Sequence, residues 1–176
     1  MVALLRGVNV GGRGKLAMSD LREICAGCGY DDVKTYIQSG NVVFSTSARS
    51  TAVVEKKLAD AIAAATDVSP AVMVRTRAEL EKAMAANPFL QRGEDPNHLH
   101  VTFTSGTAKA ELTLKDLDRY LPEEVAAIGH QIYFYLPDGL GNSKLAADFA
   151  RQKSTPGTSR NWRTVTKLLE MADDIA

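Results

Sequence analysis

Apolar and polar residues follow one another in blocks that predict strands and helices in a regular order. Val2 to Val8 is an apolar run typical of a buried strand, and Met18 to Cys28 carries apolar residues at helical spacing. Two β-branched runs, Val33 to Ile37 and Asn41 to Ser45, flank Gln38-Ser39-Gly40. This arrangement predicts a hairpin in which the glycine takes a positive φ. The first half of the chain therefore begins β-α-β-β.

The next two segments complete the first sheet. Thr51 to Ala65 is predicted to be a helix, because Val54, Leu58 and Ile62 fall on one helical face. Ala71 to Arg75 is predicted to be a short strand. The order β-α-β-β-α-β is that of a ferredoxin-like unit, in which two helices cover one face of the sheet.

A second lobe is predicted to follow a connecting helix. Thr76 and Glu79 have the spacing of a capping box, which predicts where that helix begins. The segment Asn87 to Asn97 contains two prolines and a glycine and is the best candidate for a boundary. We therefore expect an α+β fold of two ferredoxin-like lobes, residues 1–86 and residues 87–176, each with helices packed on one face of its sheet.

The second lobe partly repeats the pattern of the first, which suggests a duplication of topology. The predicted strands are His98 to Thr104, Val125 to Ile128 and Gln131 to Leu136, and the predicted helices are Leu112 to Leu121, Ser143 to Gln152 and Asn161 to Asp173. The helix over 112–121 is expected to carry a solvated acidic face formed by Glu111, Asp116 and Asp118. In the last helix Trp162, Val165, Leu169 and Ala172 are expected to form a buried stripe.

Composition and charge exclude several classes of protein. The 176 residues include 21 Lys and Arg and 21 Asp and Glu, so net charge does not drive binding to nucleic acid or to acidic lipid. No apolar run approaches the roughly 20 residues that span a bilayer. The N-terminus has neither the apolar length nor the basic leader of a signal peptide. Only two cysteines are present. Together these features predict a cytoplasmic protein.

The two cysteines, Cys25 and Cys28, have the spacing of a redox Cys-x-x-Cys pair. However, Met18 and Leu21 precede them at helical spacing, and Gly29 follows as a helix stop signal. A redox pair lies at a helix N-terminus, where the positive end of the dipole favours the thiolate. Here the pair lies at the C-terminal end, so we favour buried core cysteines over a redox or metal role.

Three segments combine glycine, amide side chains and cations, which are the groups that bind anions. They are residues 6–15, residues 137–144 and residues 158–163. With the hairpin turn they supply the candidate ligand-binding residues Arg6, Asn9, Gly11, Gly12, Lys15, Gln38, Ser39, Asn41, Ser143, Lys144, Arg160 and Asn161. We expect the three segments to line one cleft, because two of them lie between a strand and a helix, where open sheets bind ligands.

Five stretches of the chain resemble signature stretches of the domain of unknown function 1697 family. They are residues 5–12 (LRGVNVGG), 35–44 (TYIQSGNVVF), 87–89 (NPF), 139–145 (GLGNSKL) and 158–165 (TSRNWRTV). They occur in order along the whole chain. The resemblance implies a bacterial cytosolic protein with two ferredoxin-like lobes. It implies no reaction, because the family has no assigned activity.

Enzyme chemistry finds little support in the residues. Leu99 to Phe103 resembles the His-x-Thr strand of two-histidine phosphoesterases, with His100 as its histidine, but the second His-x-Thr that this chemistry needs does not occur. His98 and His100 alone do not make a zinc site. No catalytic residue, metal or cofactor is therefore assigned.

The leading hypothesis is a protein that binds a small anionic or phosphorylated ligand, with a nucleotide among the candidates. A second hypothesis is nucleic-acid binding through the basic segment Lys144 to Lys167, which contains six cations: Lys144, Arg151, Lys153, Arg160, Arg163 and Lys167. The low aromatic content argues against it. A third is a phosphoesterase that uses His100, and a fourth is a role at an interface with another protein.

Overall fold

The computed structural model describes residues 1–12, 14–152 and 157–175. The chain forms two compact units, one of Met1–Glu81 with Lys167–Ala176 and the other of Lys82–Thr166. Arg13, in the segment of residues 6–15, and Lys153, in the basic segment, lie outside the described residues. The lobe ranges 1–86 and 87–176 remain a prediction.

The first unit contains one antiparallel sheet. In chain order its elements are β1 (Val2–Leu5), α1 (Met18–Gly27), β2 (Asp31–Tyr36), β3 (Asn41–Ser45), α2 (Thr51–Ala65) and β4 (Val72–Arg75). The strand order is β2-β3-β1-β4, with every neighbouring pair antiparallel. This is the β-α-β-β-α-β arrangement that the sequence predicts.

The apolar spacing of the two helices accounts for the core of this unit. Val54, Leu58 and Ile62 on α2 are buried in one cluster with Leu21 of α1 and Phe44 of β3. Because successive side chains of a strand point to opposite faces of a sheet, that cluster uses alternate residues of each strand. The helices therefore cover one face of the first sheet.

The rest of the chain repeats this topology around a second sheet. After α3 (Arg77–Ala85) and α4 (Pro88–Gln91) come β5 (Leu99–Phe103), α5 (Ala108–Glu111), β6 (Glu124–Ile128), β7 (Gln131–Tyr135), α6 (Lys144–Ala150), β8 (Thr158–Asn161) and α7 (Trp162–Asp173). Short 3-10 turns span Pro96–His98, Leu117–Tyr120 and Leu140–Asn142. The strand order β6-β7-β5-β8 matches β2-β3-β1-β4 strand for strand. An α+β fold with two β-sheet lobes is confirmed.

The predicted helix over 112–121 is wrong. The chain instead forms α5, which ends at Glu111, and a 3-10 turn at Leu117–Tyr120, and the described residues 112–116 between them are not helical. Asp116 has φ +52°, which breaks a right-handed helix. Leu112 and Leu114 both pack against the core of the second unit, which suits an extended segment better than a helix.

Two carboxylates are buried, and one of them, Glu111, is predicted from the sequence to lie on a solvated face. Glu111 accepts a hydrogen bond from the N–H of Gly106 at 2.8 Å, and Glu123 accepts one from the N–H of Leu145 at 3.0 Å. Each therefore fixes a loop or the start of a helix. The sequence does not reveal that either carboxylate faces a backbone amide.

The third predicted loop segment begins as a strand. Residues 158–161 form β8, an edge strand beside β5, in which Thr158 and Arg160 are buried and Ser159 and Asn161 are exposed. The alternation has the period of a strand, but it uses polar residues, so apolar periodicity does not reveal it.

Several local predictions are confirmed. Cys25 and Cys28 are buried in the first core, and Trp162 is buried on α7. The prediction is wrong for Leu169, which is only partly buried, because Leu168 takes its place in the buried stripe. The N–H of Thr76 donates to Glu79 Oε2 at 2.8 Å, as a capping box requires. Within the ranges described, no helix has both the length and the apolar character needed to cross a membrane.

Candidate functional site

Asn9 holds together the first predicted segment, residues 6–15, which together with Leu16 we call the Asn9 loop. Its carboxamide donates to the carbonyl oxygen of Leu16 and to that of Gln38, both at 2.8 Å, and accepts from the N–H of Leu16 at 3.0 Å. One side chain thus joins the C-terminal end of the loop, at Leu16, to the β2–β3 turn, at Gln38. The loop and the turn form one group at one end of the first sheet.

The backbone of the Asn9 loop depends on residues that tolerate positive φ. Asn9 has φ +55°, and asparagine is one of the few residues other than glycine that adopt this region readily. At Gly14, which has φ +61°, a Cβ atom would lie 2.5 Å from the carbonyl oxygen of Gly7. The N–H of Asn9 donates to the carbonyl oxygen of Gly14 at 2.9 Å and closes the loop.

Asn41 has a positioning role in this group. It is fully buried, and its Nδ2 donates to the carbonyl oxygen of Tyr36 at 3.0 Å and to Ser39 Oγ at 2.9 Å. Both bonds stay within the hairpin, so Asn41 shapes the turn from inside. Ser39 is half-buried and Gln38 is exposed, which leaves Gln38 as the outward-facing amide of the turn.

The solvent-facing side of the Asn9 loop exposes two cationic side chains and the backbone of two glycines. Arg6, Lys15, Gly11 and Gly12 are all exposed. Within residues 1–12, 14–152 and 157–175, neither Arg6 nor Lys15 forms an ion pair, and the N–H of Gly12 donates no hydrogen bond. An uncompensated positive charge and an accessible amide are what an anion requires.

The other two predicted segments meet at one end of the second sheet. Tyr135, the last residue of β7, lies opposite Leu99, and Asn161, the last residue of β8, lies opposite His100. Both strands flank β5, so the segments that follow them leave the same end of the sheet, one on each side of it. The register thus brings residues 137–144 and 161–163 to the same end of the second sheet.

Two side chains in this second group cap helices. Ser143 is buried, and its Oγ accepts from the N–H of Ala146 at 2.8 Å at the start of α6. Asn161 Oδ1 accepts from the N–H of Thr164 at 2.8 Å at the start of α7. Lys144 and Asn161 are exposed and Ser143 is not, so of these three candidate residues Lys144 and Asn161 face solvent.

Arg160 does not lie on the surface of the second group. Only 8% of it is exposed, and its Nη1 donates to Thr158 Oγ1 at 2.6 Å and to the carbonyl oxygen of Ser159 at 2.8 Å. Burial lowers the pKa of this guanidinium to about 10. Because it alternates with Asn161 along β8, its side chain points to the opposite face of the sheet.

The candidate residues therefore fall into two groups, one in each compact unit. Arg6, Asn9, Gly11, Gly12, Lys15, Gln38, Ser39 and Asn41 belong to the first, and Ser143, Lys144, Arg160 and Asn161 belong to the second. Their assignment to a ligand remains a prediction.

The basic segment behind the nucleic-acid hypothesis is partly neutralised. Arg151 pairs with Asp148 at 2.9 Å and Lys167 pairs with Glu170 at 3.0 Å. With Arg160 buried and Lys153 outside the described residues, Lys144 and Arg163 are the exposed cations that have no ion pair in the part of the chain that the structure describes.

The histidines are dispersed. His100 is half-buried on β5, and burial lowers its pKa; its Nδ1 has no hydrogen-bond partner among the described residues. The ring of His98 packs against Tyr135 instead, and His130 Nδ1 lies 2.8 Å from the carbonyl oxygen of Gly106. Among the described residues no three His, Cys, Asp or Glu side chains group as metal ligands do.

Two residues of the first group are not among the sequence-predicted candidates. Val10 and Ile37 are apolar yet 63% and 50% exposed, and Ile37 has φ +48°. Each neighbours one end of the hydrogen bond between Asn9 and Gln38. An isolated apolar residue inside a glycine-rich loop or a turn is the sequence signal that marks them.

One protein-family model matches most of the chain. The model for "Protein of unknown function (DUF1697)" matches residues 1–133 of the 176. The chain belongs to the DUF1697 family. The resemblance inferred from the signature stretches is thereby confirmed. The residues matched by the DUF1697 model include the whole Asn9 loop and the β2–β3 turn, whereas Ser143, Lys144, Arg160 and Asn161 lie beyond them.

A solved structure supports the fold of this DUF1697 member. The conserved bacterial protein SP0830 from Streptococcus pneumoniae is similar over 97% of both chains, with a TM-score of 0.73 and 21% identity. At that identity the similarity shows the fold alone. No curated protein matches the chain.

Proposed function

We propose that this chain is a bacterial cytosolic protein that binds a small anionic or phosphorylated ligand at the Asn9 loop. The observation that carries the proposal is the exposed Gly11-Gly12 backbone between two exposed cations, Arg6 and Lys15, neither of which has an ion-pair partner among the described residues. Backbone N–H groups and uncompensated cations are the groups with which proteins bind phosphate and carboxylate.

Preorganisation supports the proposal. The three hydrogen bonds of the Asn9 carboxamide join the loop, at Leu16, to the turn, at Gln38, before any ligand arrives. A loop that is already ordered loses less conformational entropy on binding, so more of the contact energy appears as affinity. Asn9 and Asn41 are therefore proposed as positioning residues, and Ser39 as part of the turn they hold.

The contact roles follow from exposure. Arg6 and Lys15 would pair with the charge of the ligand, Gly11 and Gly12 would donate backbone N–H groups, and Gln38 would offer a side-chain amide. In the second unit Lys144 and Asn161 are the exposed candidates, while Ser143 and Arg160 hold the local structure.

Titration of the protein with inorganic pyrophosphate, followed by the amide NMR signals of Gly11 and Gly12, tests the proposal. We expect saturable shifts, and an affinity about tenfold lower in Arg6→Gln or Lys15→Gln, since one charge-assisted hydrogen bond is worth about 1.5–3 kcal/mol. Arg49→Gln is the matched control, because Arg49 is exposed in the segment that follows β3, at the other end of the sheet.

The outcome that contradicts the proposal is equally specific. If pyrophosphate produces no shifts at Gly11 and Gly12, or if Arg49→Gln weakens binding as much as Lys15→Gln, the Asn9 loop is not an anion site. Binding that is lost equally in all three variants would indicate a general effect of net charge.

A further inference from the structure

Two apolar side chains stand on the solvent side of the Asn9 loop. Val10 is 63% exposed and Ile37 is 50% exposed. They follow Asn9 and precede Gln38, which are joined by a hydrogen bond of 2.8 Å. Lys15 precedes Leu16, the other residue bonded to the Asn9 carboxamide. Val10, Ile37 and Lys15 are thus each the chain neighbour of a residue that takes part in the hydrogen bonds of the Asn9 carboxamide.

Ile37 occupies a conformation that disfavours its side chain. Its φ of +48° is in the left-handed region, where a β-branched residue is a genuine outlier and glycine or asparagine is usual. An unfavourable backbone conformation is usually compensated by burial of the side chain. Half of Ile37 is exposed, so the packing of its side chain offsets only part of the free-energy cost of its backbone conformation.

An isoleucine kept in this conformation and left in solvent suggests a contact outside the chain. Strained residues persist where the surroundings impose them, and they concentrate at ligand sites. Val10, which follows Asn9 in the chain, is also exposed. Two exposed side chains among glycines and cations offer far too little apolar area for a stable protein interface, which buries about 800 Å² on each partner. They suit a small ligand.

From this juxtaposition we infer that the ligand of the Asn9 loop is a nucleoside phosphate. Val10 and Ile37 contact the apolar faces of the base, Gln38 faces its polar edge, and Lys15, Arg6 and the Gly12 N–H hold the phosphate. The inference rests on the proposed anion-binding function and deepens it by naming the ligand class. Charge complementarity places the phosphate at the cations, and the exposed apolar pair accounts for the rest of the ligand.

Matched ligands test the inference. A nucleoside diphosphate is a pyrophosphate with one ionisable oxygen esterified, so it carries no more charge than inorganic pyrophosphate, and tighter binding of the nucleotide must come from the nucleoside. We expect at least one of ADP, GDP, CDP and UDP to bind at least tenfold more tightly than pyrophosphate in calorimetric titrations. In Val10→Ser and Ile37→Asn we expect that advantage to fall about tenfold while the affinity for pyrophosphate stays unchanged.

The variant Ile37→Asn has a second readout. Asparagine tolerates the left-handed region, so the denaturant midpoint of this variant should rise while nucleotide affinity falls. If Ile37 had only a structural role, its replacement would not raise the denaturant midpoint and lower the nucleotide affinity at the same time. Val53→Ser is the control, because Val53 is 62% exposed on α2. It should leave every affinity unchanged.

The outcomes separate this inference from the proposed function. If neither pyrophosphate nor any nucleotide binds, the anion site itself fails. If pyrophosphate binds and no nucleotide binds more tightly, or if both variants weaken the two ligands alike, only the nucleoside assignment is overturned. A change in sedimentation of Val10→Ser would also overturn it, since the apolar pair would then be a contact between copies of the chain.

Discussion

At the scale of single residues, positive φ angles decide where the chain turns at the candidate site. Gly40 has φ +74°, and its backbone carbonyl accepts from the N–H of Leu5 at 2.8 Å. The hairpin dipeptide Ser39-Gly40 makes that conformation predictable from sequence. The left-handed conformations of Asn9 and Ile37 are not predictable in the same way, because they depend on contacts between segments distant in the chain.

Gly40 and Gly12 form a matched pair for a stability measurement. A Cβ at Gly40 would lie 2.5 Å from Val8 Cγ2 and 2.7 Å from Leu5 Cβ, whereas a Cβ at Gly12 meets nothing within 4 Å. Both have positive φ, at +74° and +76°. We expect Gly12→Ala to cost about 1 kcal/mol from the backbone alone, and Gly40→Ala about 3 kcal/mol, because overpacking is added. Urea unfolding measures both. Equal losses would mean that the loop and the turn are not packed together.

At the scale of elements, apolar periodicity predicts the helices and strands that bury one apolar face, and it does not predict elements that lack such a face. The predicted bounds of α2 and β3 match the structure because their apolar spacing is regular. The strand β8 escapes prediction because its buried residues are Thr158 and Arg160, and the predicted helix over 112–121 is wrong because Asp116 interrupts it. In both cases a polar residue has a part in the local structure that apolar spacing does not show.

The direction of α1 makes a prediction about its cysteines. Both lie at the C-terminal end of the helix in the first core, and burial, with a smaller effect of Cys28, raises the pKa of Cys25 to about 12. At pH 8 a thiol with that pKa has on the order of 1,000-fold less thiolate than an ordinary cysteine. We therefore expect alkylation of Cys25 by iodoacetamide in the native protein to be at least that much slower than in urea.

Mass spectrometry after timed alkylation measures the reaction at each cysteine separately. Cys25→Ser and Cys28→Ser, each tested singly, show which thiol accounts for any residual reaction. Fast native alkylation of Cys25 would contradict the buried-core interpretation and revive the redox hypothesis for the Cys-x-x-Cys pair.

At the scale of the whole molecule, the repeated topology is visible in the sequence but the grouping of the C-terminal residues is not. The strand orders of the two sheets correspond, as the partial repeat predicts. However, Lys167–Ala176 belongs to the compact unit of Met1–Glu81. In that unit Ser45 Oγ donates to the carbonyl oxygen of Ile175 at 3.2 Å, and Arg77 pairs with Asp173. Periodicity identifies the helix but gives no information about which sheet it joins.

The grouping of the C-terminal residues predicts which strands lose stability when a buried residue of α7 is truncated. Leu168 is 1% exposed, so Leu168→Ala should cost about 3 kcal/mol, in the usual range for a buried leucine. Since residues 167–176 fold with the first unit, hydrogen exchange should show the loss of protection in β1 and β4. Leu140→Ala is the control, because Leu140 is 53% exposed and should change stability by less than about 0.5 kcal/mol. If protection in β1 and β4 is unchanged in Leu168→Ala while β5 and β8 lose theirs, the last helix belongs with the second sheet, as the predicted range 87–176 would have it.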